Sequence, residues 1–313
     1  MRMSQPNYVK LANLTQMPDA MDRSVAYLHK HMRAFLKKND RVLILFARQD
    51  NAACQILERA VEACGGVPVW IGEDKRWMTL LKMAFTSKCS CLVGSPLTLL
   101  GLSKLAKHLA TPLYVTNVLM VGYPTTTWMV QGVRKNLDCM AWGCFDPGDG
   151  AAISGFTCPQ LDGVHIRVEE YTVQIEDEQG NTLPDGESGR VVLYPNADPD
   201  VRFVVGDRGC LDRRRCSCGD PAPKLVNVNT EKLGDEALVK LAESLHYWTS
   251  ILDCRVEKTE CGMELELVVF PGEKLPKLPT VARQVIRNFD PELDAPFDHA
   301  SVLKKRYISA NSH

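Results

Sequence analysis

The sequence predicts an α/β fold, in which parallel αβ layers are followed by a strand-rich subdomain and a small C-terminal α+β domain. Apolar runs alternate with amphipathic helical patterns through residues 1–140, as in a parallel sheet covered by helices. Strand patterns dominate residues 163–212. Beyond about residue 229, helical and strand patterns are mixed, which indicates a separate small domain.

Each element of the first part follows from its own pattern. The predicted strands are short apolar runs bounded by polar or turn residues, at 40–46, 67–71, 89–93 and 113–121. The predicted helices carry apolar residues at helical spacing, at 21–36, 51–64, 77–86, 96–109 and 126–136. Gly65 and Gly66 are expected to end the second helix, because glycine readily adopts the left-handed conformation found there.

The second half of the chain is divided by the same reasoning. Strands are predicted at 171–175 and 189–194, with turn residues between them. Helix, strand, strand and helix are then predicted at 234–244, 250–258, 264–270 and 278–289. The expected domains are a core at 1–222, with parts at 1–140 and 141–222, and a C-terminal domain at 223–313.

The composition is ordinary for a globular protein, with 313 residues, 45% hydrophobic and 24% charged. A net charge of -1 provides no general attraction to nucleic acid or acidic membranes. The N-terminal segment lacks the apolar core of a signal peptide, and no apolar run is long enough to span a bilayer. We therefore expect a cytoplasmic protein without nucleic-acid or membrane partners.

The 12 cysteines are expected to be reduced thiols, since disulfides are rare in the cytosol. Cys89 and Cys91 lie in an apolar strand pattern, where alternation would place both on one face. We favour core packing over metal binding for this pair, because no nearby Cys or His completes a ligand set.

A second Cys-x-Cys has better-placed partners. Three thiolates and one imidazole are a donor set for a tetrahedral structural zinc ion, here Cys158, His165, Cys216 and Cys218. A closed set of this kind would tie the loop after Asp207 to the loop before the strand at 171–175. Cys210 is a substitute candidate for Cys216, and four unrelated residues are the alternative. The adjacent run of arginines at 213–215 is interpreted as a solvated loop.

Four segments occur in the order found in one enzyme superfamily. They are Gly122-Tyr123-Pro124, Trp142-Gly143-Cys144-Phe145-Asp146, the stretch VQIEDEQGNTLPDGESGRVVL at 173–193, and Val205-Gly206-Asp207. Together they resemble adenylate-forming (AMP-binding) enzymes over roughly residues 40–219. The segments QLDGVHI at 160–166 and CSCG at 216–219 are similar to phenylacetate–coenzyme A ligases, where a comparable Cys/His set appears at matching positions.

The resemblance implies activation of a carboxylate by ATP to an acyl-adenylate, with release of pyrophosphate, and transfer of the acyl group to coenzyme A. It implies that the protein binds a small-molecule nucleotide or carboxylate. The implied cofactors are ATP or AMP with Mg²⁺, in addition to the structural Zn²⁺. Asp207 would accept hydrogen bonds from the ribose, and Asp146 would be the acid near the metal. Lys304 or Lys305 would be the catalytic lysine, and an exposed basic tail is the alternative for this segment. According to the same resemblance, the residues that would contact the adenine are Gly122, Tyr123, Pro124, Trp142 and Gly143.

Other positions depart from the superfamily pattern. Residues 11–21, where a glycine-rich phosphate loop is expected, contain no glycine, and Phe145 replaces a threonine. The sequence LVNVN at 225–229 stands where a Gly-Arg hinge is expected. These departures favour a second hypothesis, a catalytically inactive relative that binds a ligand or acts as a scaffold. A homodimer or a protein partner that supplies missing parts is also left open.

Overall fold

The computed structural model of the protein describes residues 19–47, 52–71, 75–121, 125–145, 154–196, 202–230 and 236–297. The helices of these residues are α1 (Ala20–Met32), α2 (Ala52–Ala63), α3 (Trp77–Thr86), α4 (Pro96–His108), α5 (Thr127–Leu137) and α6 (Glu236–Tyr247). The strands of the large sheet are β1 (Arg41–Ala47), β2 (Val67–Ile71), β3 (Cys91–Gly94), β4 (Asn117–Met120), β5 (Met140–Phe145), β6 (Gly155–Thr157), β7 (Val164–Ile166), β8 (Tyr171–Glu176), β9 (Gly189–Pro195), β10 (Phe203–Asp212) and β11 (Lys224–Thr230). The strands of the small sheet are β12 (Ile251–Thr259), β13 (Gly262–Val269) and β14 (Arg283–Asn288).

The first five strands of the large sheet pair in parallel, in the order β2-β1-β3-β4-β5. Along β1, Leu43 packs with residues of α3, α4 and α5, whereas Val42 and Ile44 pack on the other face with α1 and α2. Strand alternation therefore gives the sheet two apolar faces, each covered by helices. The predicted parallel αβ layers are confirmed.

Strand β5 joins the two parts of the large sheet, because it is parallel to β4 and antiparallel to β6. From there the order continues β6-β7-β11-β10-β9-β8, and every neighbouring pair is antiparallel. Gly155 allows β6 and β7 to approach closely, since a Cβ there would lie 2.7 Å from the carbonyl oxygen of His165. The predicted strand-rich subdomain is confirmed.

Strand β11 lies beyond residue 222, where the sequence places the domain boundary. It pairs with β10 and β7, so a division at residue 222 separates this strand from its sheet. The three-stranded sheet contains only later residues, in the order β12-β13-β14. We keep a C-terminal domain as a proposal and expect it to begin after residue 230.

Two local predictions are wrong. Residues 283–288, predicted as part of a helix, form strand β14, which pairs in parallel with β13 along its whole length. Cys89 and Cys91 are buried as expected, but they pack on opposite faces of the sheet. Lys88, with φ 49°, turns the chain before β3, so strand alternation does not extend back to Cys89.

The C-terminal residues pack against the αβ part. Leu252, Val268 and Phe270 belong to the same apolar cluster as α3, α4 and α5. The Phe270 ring stacks on the His108 imidazole, with centroids 4.1 Å apart. The buried Lys104 ammonium of α4 donates hydrogen bonds to three backbone carbonyls, of His246 (2.6 Å), Trp248 (3.1 Å) and Ile251 (2.8 Å). In the described part of the chain, no helix has the length and apolar character needed to cross a membrane.

Candidate functional site: a Cys/His cluster beside a buried carboxylate

Four ligand-type side chains meet where two loops of the antiparallel part converge. Cys158 follows β6, His165 lies in β7, and Cys216 and Cys218 lie in the loop between β10 and β11. The pairing of β7 with β11 brings these two loops together. The structure therefore brings together all four residues that the sequence analysis predicted as zinc ligands. Cys210, the substitute candidate, is not part of this group.

The β6–β7 loop has a backbone that depends on glycine. The Cys158 N–H donates to the Gly163 carbonyl (2.9 Å), and the Leu161 N–H donates to the Cys158 carbonyl (2.8 Å). Gly163 has φ 142°, and a Cβ there would lie 2.7 Å from the Leu225 carbonyl oxygen. Only glycine allows this close approach to β11, and the approach fixes the backbone position of Cys158.

The distances within the cluster suit a tetrahedral metal ion. The four ligand atoms all lie within 4.8 Å of one another. The Cys158 and Cys216 Sγ atoms are 3.5 Å apart, and Cys218 Sγ is 3.2 Å from His165 Nε2. With bonds of about 2.3 Å to sulfur and 2.05 Å to nitrogen, tetrahedral zinc would require separations of about 3.8 Å and about 3.6 Å. Small movements of the side chains would reach these values.

Hydrogen bonds orient the ligand atoms. His165 Nδ1 lies 2.9 Å from the Ala222 carbonyl oxygen. If Nδ1 donates there, Nε2 keeps its lone pair on the side of the thiols. Burial raises the pKa of the Cys158 thiol. The backbone N–H of Cys218 donates to Cys216 and is the main cause that lowers the pKa of Cys216 to about 7.

The residues proposed for a nucleotide lie on two strands of the same sheet. Asp207 lies in β10 opposite Thr230 of β11 and is only 2% exposed. Trp142 and Gly143 lie in β5, separated from β10 in the sheet order by β6, β7 and β11. The structure thus keeps Trp142 and Asp207 on one sheet without making them strand neighbours.

Protein side chains already contact the Trp142 ring. Phe35 is stacked on it with centroids 5.8 Å apart, and the Arg134 guanidinium carbon lies 5.7 Å from the ring centroid. The Gly143 N–H donates to Thr157 Oγ1 at 2.8 Å. The adjacent Phe145 is buried in the apolar cluster of the antiparallel strands. Its side chain has no hydroxyl, unlike the threonine expected at this position.

Several nominated residues lie outside the described part of the chain: Gly122, Tyr123, Pro124, Asp146 and Lys304. Most of the segment expected to bind phosphate, residues 11–18, is also outside it. Their roles stay predictions.

Neither a protein-family model nor a curated protein matches the sequence. Solved structures do match. A 2-hydroxyisobutyryl-CoA ligase in the postadenylation state has a TM-score of 0.64 at 12% identity, covering 98% of this chain and 82% of that one. A benzoate CoA ligase from Burkholderia xenovorans LB400 has a TM-score of 0.59 at 10% identity, covering 90% and 65%. The amide bond synthetase McbA from Marinactinospora thermotolerans has a TM-score of 0.56 at 16% identity, covering 92% and 65%.

The chain has the adenylate-forming fold. At these identities the match concerns architecture, and the predicted resemblance is confirmed at that level.

Two further charged groups near the cluster were not nominated from the sequence. Lys224 and Asp162 form an ion pair beside the cluster, with 2.5 Å between Nζ and Oδ2. Asp162 lies within the QLDGVHI segment, but no sequence pattern links it to Lys224, and only the β7–β11 pairing reveals the ion pair. The arginine run is exposed, as predicted for a solvated loop, since the Arg213 and Arg214 side chains are 57% and 89% exposed. Arg213 pairs with Asp185, and Arg214 pairs with Asp212 at 2.9 Å.

Proposed function

We propose that the protein is an adenylate-forming ligase of the phenylacetate–CoA ligase type. A carboxylate attacks the α-phosphate of ATP, giving an acyl-adenylate and pyrophosphate. The thiol of coenzyme A then takes the acyl group and AMP leaves. The adenylate-forming fold, matched over 98% of the chain, is the observation that carries this proposal.

We propose that the chain retains the ribose contact of adenylate-forming enzymes more fully than their phosphate contacts. Asp207, held in the middle of β10, is a carboxylate suited to accept hydrogen bonds from vicinal ribose hydroxyls. The buried Phe145 supplies no donor for the phosphates. Each well-placed donor lowers an activation barrier by about 3–4 kcal/mol, so we propose a slow ligase. Asp146 would act as the acid near Mg²⁺, and Lys304 as the catalytic lysine.

The Cys/His cluster is proposed to hold one structural zinc ion. Its support is the donor set of three thiols and one imidazole, together with ligand atoms no more than 4.8 Å apart. Four protein ligands close the coordination sphere, so the ion would take no part in acyl transfer. Its effect would be to hold the β10–β11 loop against the β6–β7 loop.

Pyrophosphate release with ATP, Mg²⁺ and a panel of aryl and short acyl carboxylates tests the ligase. We expect slow release with at least one carboxylate, and a loss of at least about 10-fold in kcat/KM for Asp207→Ala, which removes the ribose acceptor. Asp212→Ala, on the same strand and paired with Arg214, is the matched control and should retain the rate. Absence of release with every carboxylate would contradict the proposal.

A second candidate is an inactive relative that binds a ligand or acts as a scaffold. The contacts of Phe35 and Arg134 with the Trp142 ring favour it, because they take up surface that a base would need. Calorimetry with ATP, AMP and coenzyme A separates the two candidates. Magnesium-dependent ATP binding with turnover supports the ligase, whereas nucleotide or acyl-ligand binding without any pyrophosphate release supports the inactive relative.

A further inference from the structure

A buried lysine lies beside the Cys/His cluster and belongs to none of the sequence motifs. Lys224 is the first residue of β11 and is directly opposite His165 of β7. Residues directly opposite in an antiparallel pair project to the same side of the sheet, so Lys224 shares a side with a cluster ligand. The residue is only 5% exposed. Burying an ammonium is costly unless anionic groups surround it.

The contacts of Lys224 connect it to both loops of the cluster. Its Nζ donates to Asp162 in the β6–β7 loop at 2.5 Å. Asp162 directly precedes Gly163, whose carbonyl accepts the Cys158 N–H at 2.9 Å. Cys216 of the β10–β11 loop lies close enough to act electrostatically on the Lys224 ammonium. Lys224 therefore lies beside residues from both loops of the cluster.

We propose that Lys224 is the charge-balancing residue of the metal centre, an inference that rests on the proposed zinc site. Three thiolates around a divalent ion leave a net charge of roughly −1 in a buried place. Asp162 adds a second negative charge, so the Lys224 ammonium would reduce the net charge of this buried group from about −2 to about −1. Arg213 and Arg214 are also nearby, but they pair with Asp185 and Asp212, so we assign the role to Lys224.

The test compares metal affinity in three lysine variants of the whole chain. Lys224→Met removes the charge at similar length, and Lys224→Arg keeps the charge. Lys107→Met removes an exposed charge on α4 and is the matched control. Metal-free protein is titrated with Zn²⁺ against a chromophoric chelator and with Co²⁺ by absorption, which reports thiolate ligation. Circular dichroism of the metal-free proteins checks folding.

We expect Lys224→Met to weaken zinc binding by about 10–100-fold, with an unchanged stoichiometry and an unchanged cobalt spectrum. Lys224→Arg should retain most of the affinity, and Lys107→Met should equal the wild type. Equal affinities for Lys224→Met and wild type would overturn the proposal. Equal weakening by both Lys224 variants would also overturn it, since packing rather than charge would then matter. A wild-type chain without thiolate–cobalt bands would instead refute the zinc site itself.

Discussion

At the scale of single residues, Cys216 offers the clearest test of the metal centre, because its Sγ lies in the cluster 3.5 Å from that of Cys158. Cys216→Ser should lower the zinc content from about one ion per chain to near zero and reduce the melting temperature, since metal binding stabilises the folded state. Metal analysis after exhaustive dialysis, together with thermal denaturation, measures both effects.

The matched control is Cys210→Ser, which changes a buried cysteine of β10 outside the cluster. It should retain the zinc while losing some stability through the buried hydroxyl. Equal zinc contents in the two variants would show that Cys216 is not a ligand.

The sequence predicted the four cluster residues from a Cys-x-Cys pair with a separate cysteine and histidine, a set similar to one in phenylacetate–CoA ligases. It did not predict the Lys224–Asp162 ion pair, because the proximity of these two residues depends on the pairing of β11 with β7. Chemical type predicts a ligand, whereas the charges around it depend on contacts between distant segments.

At the scale of elements, helices α3 and α4 pack so closely that one position requires glycine. A Cβ at Gly101 of α4 would overlap the ring of Trp77, with Cζ2 and Cζ3 at 3.0 Å, and Trp77 is fully buried. Gly101→Ala should therefore lower the free energy of unfolding by about 1–3 kcal/mol, although alanine favours helices. Urea denaturation followed by circular dichroism measures the change.

Gly132→Ala in α5 serves as the comparison, because the added Cβ would lie 3.0 Å from the end of the Leu100 side chain, which can move. This variant should be neutral or more stable by up to about 1 kcal/mol. If both variants were equally stable, the close packing of Trp77 on α4 would be refuted.

Element prediction succeeded where the pattern was long and local. The five helices from α1 to α5 and the four strands from β1 to β4 come within a few residues of their predicted positions, whereas β5 was not predicted. Strand β14 was predicted as helix because its pattern, RQVIRN, is compatible with either structure. Pairing with β13 along six residues decided the outcome, and such pairing is a long-range contact.

At the scale of the whole molecule, Lys104 connects α4 to the C-terminal residues through three carbonyls near the end of α6 and the start of β12. Lys104→Met should remove one hydrogen bond from each of these buried carbonyls and lower the free energy of unfolding by roughly 2–5 kcal/mol. Hydrogen exchange should show faster exchange in residues 245–256 than in β1 and β3.

Lys107→Met, one helical turn away on the exposed side of α4, should change stability by no more than about 0.5 kcal/mol. Uniformly faster exchange throughout the Lys104→Met chain would contradict a local tie between α4 and the C-terminal residues.

By itself, the sequence determined the αβ layers, the strand-rich part and the residues of the Cys/His cluster, because periodicity and residue chemistry are local properties. Only the tertiary structure decided that β11 belongs to the large sheet and that Cys89 and Cys91 face opposite ways. It also decided that Lys104 and Lys224 are buried beside groups far away in the chain. These outcomes depend on which distant segments pair and pack, and no local pattern encodes such contacts.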